Sequence, residues 1–302
     1  MANRLRIGTR GSVLALKQVE IVAAAFKAAD SSVLVEVCKI QTQGDVNQQP
    51  IPLDTIGKGW FTKEIEKALL QKEIDLAVHS LKDMAADMPE GLAIGAYLAR
   101  EDARDALITK NGDPIDVLKP GAVIGTDSAR RQVQMLALRS DVVMQSLRGN
   151  VPKRLEKLTT ENYDAVILAV AGLKRLGLEN RITKYFDISE ITPAPGQGVL
   201  AVQYAQDDKP LGQLLQRIND IDTAHVAEIE RSFSVAVGGG CKSPTGAYAR
   251  REGDDCVLSA MIVGKDGTIL RDTMRAPWAK SHDLGEKLAW KLIVQSGHGA
   301  NA

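Results

Sequence analysis

The chain has 302 residues, 44% of them apolar, and its 38 Lys and Arg are balanced by 38 Asp and Glu. That length accommodates two or three domains with a sizeable core, and the neutral balance argues against a chain-wide nucleic-acid surface. Three cysteines with no CxxC pair indicate neither a zinc knuckle nor a disulfide framework and fit a reducing, cytoplasmic setting. The N-terminus turns polar early and the longest apolar run covers only residues 165–173, so neither a cleaved leader nor a membrane span is expected.

Residues 5–9 read as a strand, and Ser12 as the N-cap of a helix running to about residue 29, with Leu16, Val19, Val22, Ala23 and Phe26 at helical spacing. Residues 33–40 alternate and are β-branched, a second strand; strand, helix, strand in that order predicts a parallel α/β unit. Residues 41–59 hold Gly44-Asp45, Pro50, Pro52 and Gly57-Lys58-Gly59 with little apolar periodicity, which suits a lid or an irregular surface loop. A helix over 62–71 and a strand over 74–79 follow, and the strand stops at Ser80-Leu81-Lys82-Asp83. Ligands gather outside the carboxyl ends of such strands. Asp83 there suits a general acid or base and Lys82 an anion site, or the two form a surface ion pair.

A strand over 92–98 leads into the charged stretch Arg100-Glu-Asp-Ala-Arg-Asp105, which reads as a linker to a second domain. Strands over 106–109 and 123–125 precede Thr126-Asp127-Ser128 and a helix over 129–138. Arg130 and Arg131 occupy its first turn, where the helix dipole disfavours cations, so they point to anion binding. A strand over 142–146 runs into Leu147-Arg148-Gly149-Asn150 and a helix carrying Lys153 and Arg154; a buried strand over 165–169 leads to Gly172-Leu-Lys-Arg175. Between Ser128 and Lys184 there are 11 Lys and Arg against 5 Asp and Glu. Placed after strands and in first helical turns, this surplus suits carboxylates or phosphates, for which the guanidinium fork is well shaped.

Thr192-Pro-Ala-Pro-Gly-Gln-Gly198 reads as a second crossing, and a strand over 199–204 is placed to return to the first sheet. After a helix over 211–218, Asp222 or Thr223 is expected to cap a helix to about residue 234. The run Gly238-Gly-Gly-Cys241 then carries a thiol on a flexible loop, as a nucleophile, a metal ligand or a covalent anchor, or as part of a plain turn. Strands over 245–250, 257–263 and 269–276 and a helix over 281–295 predict a small α+β domain.

Several separated stretches together resemble one family, the hydroxymethylbilane synthases or porphobilinogen deaminases. They are Arg6-Ile-Gly-Thr-Arg-Gly-Ser12, Gly44-Asp45 with Gly57-Lys-Gly59, Asp75-Leu-Ala-Val-His-Ser-Leu-Lys-Asp83 and Arg100-Glu-Asp-Ala-Arg-Asp105. Gly125-Thr-Asp-Ser-Ala-Arg-Arg-Gln132, Ser146-Leu-Arg-Gly-Asn150, Pro193-Ala-Pro-Gly-Gln-Gly198 and Gly239-Gly-Cys241 continue the series. The resemblance implies two periplasmic-binding-protein-like α/β lobes, 1–99 plus 199–217 and 104–193, and a small α+β domain over 221–302. It implies a dipyrromethane cofactor held by Cys241 through a thioether. Four porphobilinogen molecules are added head-to-tail with loss of ammonia, and hydroxymethylbilane is released by hydrolysis. Every pyrrole bears an acetate and a propionate, so the growing chain is a polyanion. By the same resemblance Asp83 is catalytic, and Lys82, Asp83, Thr126, Ser128, Arg130, Arg131, Arg148 and Gly149 face the cofactor. Arg10, Ser12, Arg148, Arg154 and Arg175 bind substrate, and Lys58 belongs to the lid. Porphobilinogen is the expected partner; no nucleic acid, membrane or metal is implied, and the chain is expected to be a cytoplasmic monomer.

The stretch departs from the family pattern at Asp127, where a small hydroxyl residue is usual, at Gln203 in place of glutamate, and at Lys242-Ser243 after the cysteine. A two-lobed protein that binds a carboxylated ligand without turning it over is the alternative: the arginines serve both readings, whereas Cys241 and Asp83 serve only the enzyme. A nucleic-acid binder fits poorly, since aromatic residues are only 4%.

Overall fold

The computed structural model describes residues 4–46, 61–85, 87–238 and 244–297. β1 (Arg4–Thr9), α1 (Val13–Ala29) and β2 (Leu34–Lys39) form the expected unit, β1 pairing in parallel with β2 on one side and with β3 (Leu76–Ser80) on the other. The Ser12 hydroxyl accepts from the Ala15 N–H at 3.2 Å and caps α1. Val19, Val22 and Phe26 on that helix are buried against the sheet, each contributing roughly 1.5–3 kcal/mol by leaving water. α2 (Gln43–Val46) is a single turn in the stretch expected to be irregular; the rest of that stretch, Lys58 included, lies outside the described residues. α3 (Lys63–Leu70) and β4 (Leu92–Tyr97) complete this half.

The chain then crosses into β5 (Asp105–Thr109), β6 (Val123–Gly125), α4 (Ala129–Leu138), β7 (Val143–Gln145), α5 (Val151–Thr160), β8 (Ala165–Ala169), α6 (Val170–Arg175) and β9 (Lys184–Tyr185). It recrosses into β10 (Leu200–Ala205) and α7 (Lys209–Gln216). The first sheet has the order β2-β1-β3-β10-β4 and the second β7-β6-β8-β5-β9. β10 runs antiparallel between β3 and β4, and β5 antiparallel between β8 and β9. Each crossing therefore ends in the strand that opposes its neighbours in the sheet it enters. The two sheets share one plan although the sequence has no visible repeat. The return of the strand over 199–204 to the first sheet is met by β10, and with it the two-lobed, doubly connected layout.

α8 (Ile221–Ala236), β11 (Gly246–Glu252), β12 (Asp255–Val263), β13 (Ile269–Pro277) and α9 (Leu284–Gln295) build the small α+β domain, an antiparallel sheet covered by two helices. α8 begins earlier than expected: Asp220, not Asp222 or Thr223, is its cap, its carboxylate accepting from the Thr223 N–H at 2.8 Å. Among the described residues no helix is long and apolar enough to cross a membrane.

The two crossings touch. The Glu101 N–H donates to the Gly198 carbonyl at 3.2 Å. Gly198 has φ +89°, and a Cβ there would lie 2.3 Å from the Glu101 carbonyl oxygen, so the approach requires glycine. The fully buried Glu230 of α8 then ties both crossings to the third domain. Its carboxylate accepts from Arg100 Nη1 at 2.5 Å and Nη2 at 3.2 Å, from the Gly196 N–H at 2.6 Å and from the Ala249 N–H at 2.7 Å. Arg100 Nε also donates to the Gln197 carbonyl at 2.9 Å.

Removing one partner of such a pair leaves a charge and two N–H groups without their acceptor. Glu230→Ala is expected to lose about 3–5 kcal/mol of stability in urea unfolding; a loss below about 1 kcal/mol, the range of an exposed pair, contradicts this linking role.

Candidate active site

The carboxyl ends of β1, β3, β6, β7 and β8 carry almost all of the expected site residues, as an open α/β sheet requires. Arg10 and Ser12 follow β1. Asp83 ends a short 3-10 turn, Leu81–Asp83, that follows β3 directly. Arg10, Ser12 and Asp83 line one cavity with Gln18, Phe61 and Ser80, a space of about 430 Å³ counting what is open to solvent. The Arg10 guanidinium stacks 4.1 Å from the Phe61 ring centroid, and Gln18 donates to the Ser80 hydroxyl at 2.8 Å. Asp83 itself is exposed, available to a ligand.

Lys82 turns the other way, toward the second crossing, and donates to Gln197 Oε1 at 3.1 Å. Gln197 is fully buried and donates from Nε2 to the Ala103 carbonyl at 2.7 Å and to Asp105 Oδ1 at 3.0 Å. Asp105 in turn receives Arg131 Nη2 at 2.6 Å and forms an ion pair with Arg130 Nη1 at 2.8 Å. The anion that Arg130 and Arg131 meet in this structure is thus a residue of the chain itself. This also explains how two arginines tolerate the first turn of α4. Arg130 further donates to the Thr192 carbonyl at 2.7 Å and Arg131 to the Ile167 carbonyl at 3.1 Å; both side chains are 7% exposed, showing only an edge to the cleft. Burial by itself raises the Asp105 carboxyl, but Arg130 and Arg131 outweigh it and hold the group well below the usual carboxylate range. Burial, reinforced by the charge of Arg131, pushes the Lys82 ammonium down to about 8.

On the second lobe, Arg148 and Arg154 lie close to Asp127. Arg148 Nε is 2.6 Å from Asp127 Oδ2, and the Ser146 hydroxyl donates to Asp127 Oδ1. The unexpected carboxylate therefore pairs with an arginine rather than facing the cleft alone. Gly149, at φ +122°, turns its carbonyl to Arg154 Nε at 2.8 Å. Burial pushes the Arg154 guanidinium down to about 10, helped by the charge of Arg131 and opposed by Asp127 and Asp83. The influence of Asp83 on Arg154 reaches across from the other lobe. Thr126 is buried, its hydroxyl accepting from the Ser128 N–H at 3.2 Å, and Ser128 stands at the N-cap position of α4 with no side-chain capping bond. Arg175 is set apart: it donates to the Gly198 carbonyl at 2.7 Å, and burial pushes it down to about 10 against the opposing charge of Glu101. Cys241, with Lys242 and Ser243, lies outside the described residues, which reach Gly238 just after α8.

Behind Asp83, His79 on β3 is buried and pushed down to about 4, so it is neutral at pH 7, with Nε2 3.0 Å from Gln203 Oε1. Gln203 Nε2 faces Glu66 at 3.5 Å and the Met88 sulfur at 3.0 Å. Since Glu66 already supplies a buried carboxylate there, an amide at 203 avoids a second one. The sequence reading overlooked Asp105, Gln197 and Glu230. An acid opening an apolar strand, as Asp105 opens β5, was the available signal, since such a group has to be buried with a partner.

The model of the family described as "Porphobilinogen deaminase, dipyromethane cofactor binding domain" matches residues 5–213, and that of the "Porphobilinogen deaminase, C-terminal domain" matches 224–294. A porphobilinogen deaminase of Oceanobacillus iheyensis is 45% identical over 294 residues, 97% of this chain and 94% of that protein. One from Bacillus cereus is 46% identical over 295 residues, 97% of this chain and 95% of that protein. Among solved structures, the methionine-binding protein MetQ is distantly similar, with a TM-score of 0.46 at 11% identity over 76% of this chain and 96% of the other. Two family models that together span nearly all of the described residues, and relatives at this identity and coverage, place the chain in the porphobilinogen deaminase family.

Proposed function

We propose that Asp83 is the group that stabilises charge and moves protons in this enzyme's reaction, and that the surrounding cations hold the carboxylates of pyrroles. The reaction is that of the family: porphobilinogen is deaminated and four units are joined head-to-tail, then released as hydroxymethylbilane. The observation that carries the assignment is the convergence on Asp83. Arg10 and Ser12 share its cavity, and Arg154, amid Arg131 and Arg148, feels its charge from the other lobe.

The cofactor's chemistry suits this donor set. A dipyrromethane with acetate and propionate side chains is a polyanion, and Lys82 and Arg148 are assigned to its charges, Arg148 beside Asp127 and Lys82 next to Asp83 but with its ammonium now held by Gln197. Arg130 and Arg131 contribute through the floor, since two guanidiniums against the one carboxylate of Asp105 leave a net positive charge. Thr126, Ser128 and Gly149 complete the rim; Arg10, Ser12, Arg148, Arg154 and Arg175 are assigned to substrate. When bound, the dipyrromethane supplies the pyrrole carbon that the first substrate unit joins. Cys241, which follows the end of α8 by about five residues in sequence, is its proposed attachment.

Loss of ammonia from porphobilinogen leaves positive charge spread over the ring and its N–H. The Asp83 carboxylate, fixed at the end of β3, faces that charge without reorganising, whereas water dipoles would have to turn. The same carboxylate takes the proton released when the joined ring regains aromaticity. Neutral His79 stays in the wall behind it and brings no competing charge to the cleft.

The divisions 1–99 plus 199–217, 104–193 and 221–302 are proposed as the domains, supported by the return of β10 to the first sheet and by the separate core under α8 and α9. A cytoplasmic setting is proposed from the unpaired thiols Cys38 and Cys256, and a monomer is proposed for its state in solution.

Three outcomes test the site. The purified protein is expected to be heavier than its sequence by one dipyrromethane and Cys241→Ser to lack that mass; a Cys241→Ser protein that keeps it refutes the attachment. In single-turnover addition followed by mass spectrometry, folded holo-Asp83→Asn is expected to lose at least about three orders of magnitude in rate, or roughly 4 kcal/mol. Near-normal addition removes Asp83 from the mechanism. Lys82 binds an anion only while protonated, and its ammonium titrates near 8, so binding is expected to weaken as pH rises through that value. Loading of the apoprotein with dipyrromethane should therefore slow above about pH 8 in the native chain and stay level in Lys82→Arg, whose guanidinium keeps its proton; identical profiles contradict the assignment.

A further inference from the structure

Asp127 has no part in the chemistry above, yet its Oδ2 lies 2.6 Å from Nε of Arg148. It lies between β6 and α4, whereas Arg148 and Ser146 belong to the loop after β7, so the pair bridges two neighbouring strand ends. Both charged side chains remain partly open to solvent, Arg148 at 30% and Asp127 at 27%. Neither is sealed in as Asp105 is, with no exposure at all. Arg154 is in electrostatic reach of both Asp127 and Arg148.

We infer that Asp127 is a displaceable counter-ion for Arg148: it holds the guanidinium in the open cleft and yields it to a carboxylate of the incoming pyrrole. The inference rests on the reading of Arg148 as a substrate-binding residue, and takes that contact, not one to the cofactor, as the role it plays in the holoenzyme. An exposed ion pair has little net stability to lose, and exchanging one carboxylate for another keeps the charge-assisted hydrogen bonds at Arg148. The released Asp127 keeps the Ser146 hydroxyl within reach and gains water, so no charge is left buried and unpaired. A ligand without a carboxylate has nothing to offer Arg148 in exchange, and Asp127 stays in place against it. The pair therefore selects for anionic pyrroles at the cost of affinity. Because the exchange is complete before any bond changes at Asp83, its effect belongs to binding and not to turnover.

The test uses the holoenzyme and a pyrrole bearing the acetate and propionate but no aminomethyl group, so that it binds without reacting. Its Kd by calorimetry and the KM and kcat for porphobilinogen are measured in native protein, Asp127→Ser, Asp127→Asn, Arg148→Leu and Asp127→Ser with Arg148→Leu. Both Asp127 variants are expected to lower Kd and KM about tenfold with kcat changed by less than about threefold. Arg148→Leu is expected to weaken binding by less than about threefold in the native background but by more than about tenfold beside Asp127→Ser. Unchanged or weaker binding in both Asp127 variants, with an equal Arg148→Leu effect in the two backgrounds, overturns the inference while leaving Arg148 a binding residue. No effect of Arg148→Leu in either background removes Arg148 from the binding set, and the inference with it.

Discussion

The carboxylate of Glu230 is buried completely, and a buried charge persists only where its attraction and hydrogen bonds replace the water it has lost. Its partners come from three places in the chain: Arg100 from the first crossing, the Gly196 N–H from the second and the Ala249 N–H from the third domain. Satisfying this one group therefore sets the crossings against each other and sets the third domain against both. The consequences reach the cleft. Arg100 holds the Gln197 carbonyl, and the Gln197 side chain connects Asp105 of the second lobe to Lys82 of the first. A continuous polar path thus runs from α8 to the residue beside Asp83.

A cleft built for a polyanion has to hold many cations at close range before any anion arrives. The chain meets this with internal carboxylates, one of them sealed and two partly exposed. Asp105, fully enclosed, compensates Arg130 and Arg131 permanently. Glu101, at the crossing, pairs with Lys174 at 2.9 Å and lowers the isolation of Arg175. Asp127, at the rim, pairs with Arg148 where solvent and ligand can both reach. A carboxylate sealed with its arginines, as Asp105 is, stays with them, whereas Glu101 and Asp127 both keep contact with solvent. The floor still keeps a positive excess, because one carboxylate faces two guanidiniums.

The topology ties each lobe firmly to the other. Each sheet is completed by a strand that arrives through a crossing, β5 in one and β10 in the other, so each lobe is anchored in the middle of its sheet rather than at an edge. The crossings are joined by the contact between Glu101 and Gly198, which only a residue without Cβ allows. Leu14 at the start of α1 faces Gly172 of α6, where a Cβ would stand 3.6 Å from its methyl group, so the lobes already meet at one end of the cleft.

Local patterns were enough for most of the elements. Helical spacing and Ser12 placed α1, the bounds of α4 agree at both ends, and the strand before Lys82-Asp83 was legible from its apolar run. The chemistry of the family was legible too, because its motifs are short, contiguous and charged. What escaped was pairing over distance. Arg130 and Arg131 read as anion-binding, and the anion they meet in the folded chain is Asp105, on another strand and itself taken for part of a linker. Asp127 read only as a departure from the family pattern, and its partner Arg148 comes from a different loop. Lys82 read as a neighbour of Asp83, but the 3-10 turn sends the two side chains apart, one to Gln197 and one to the cleft. A sequence records spacing along the backbone, whereas the compensation of buried charge depends on distance through the protein, and that exists only once the sheets have assembled.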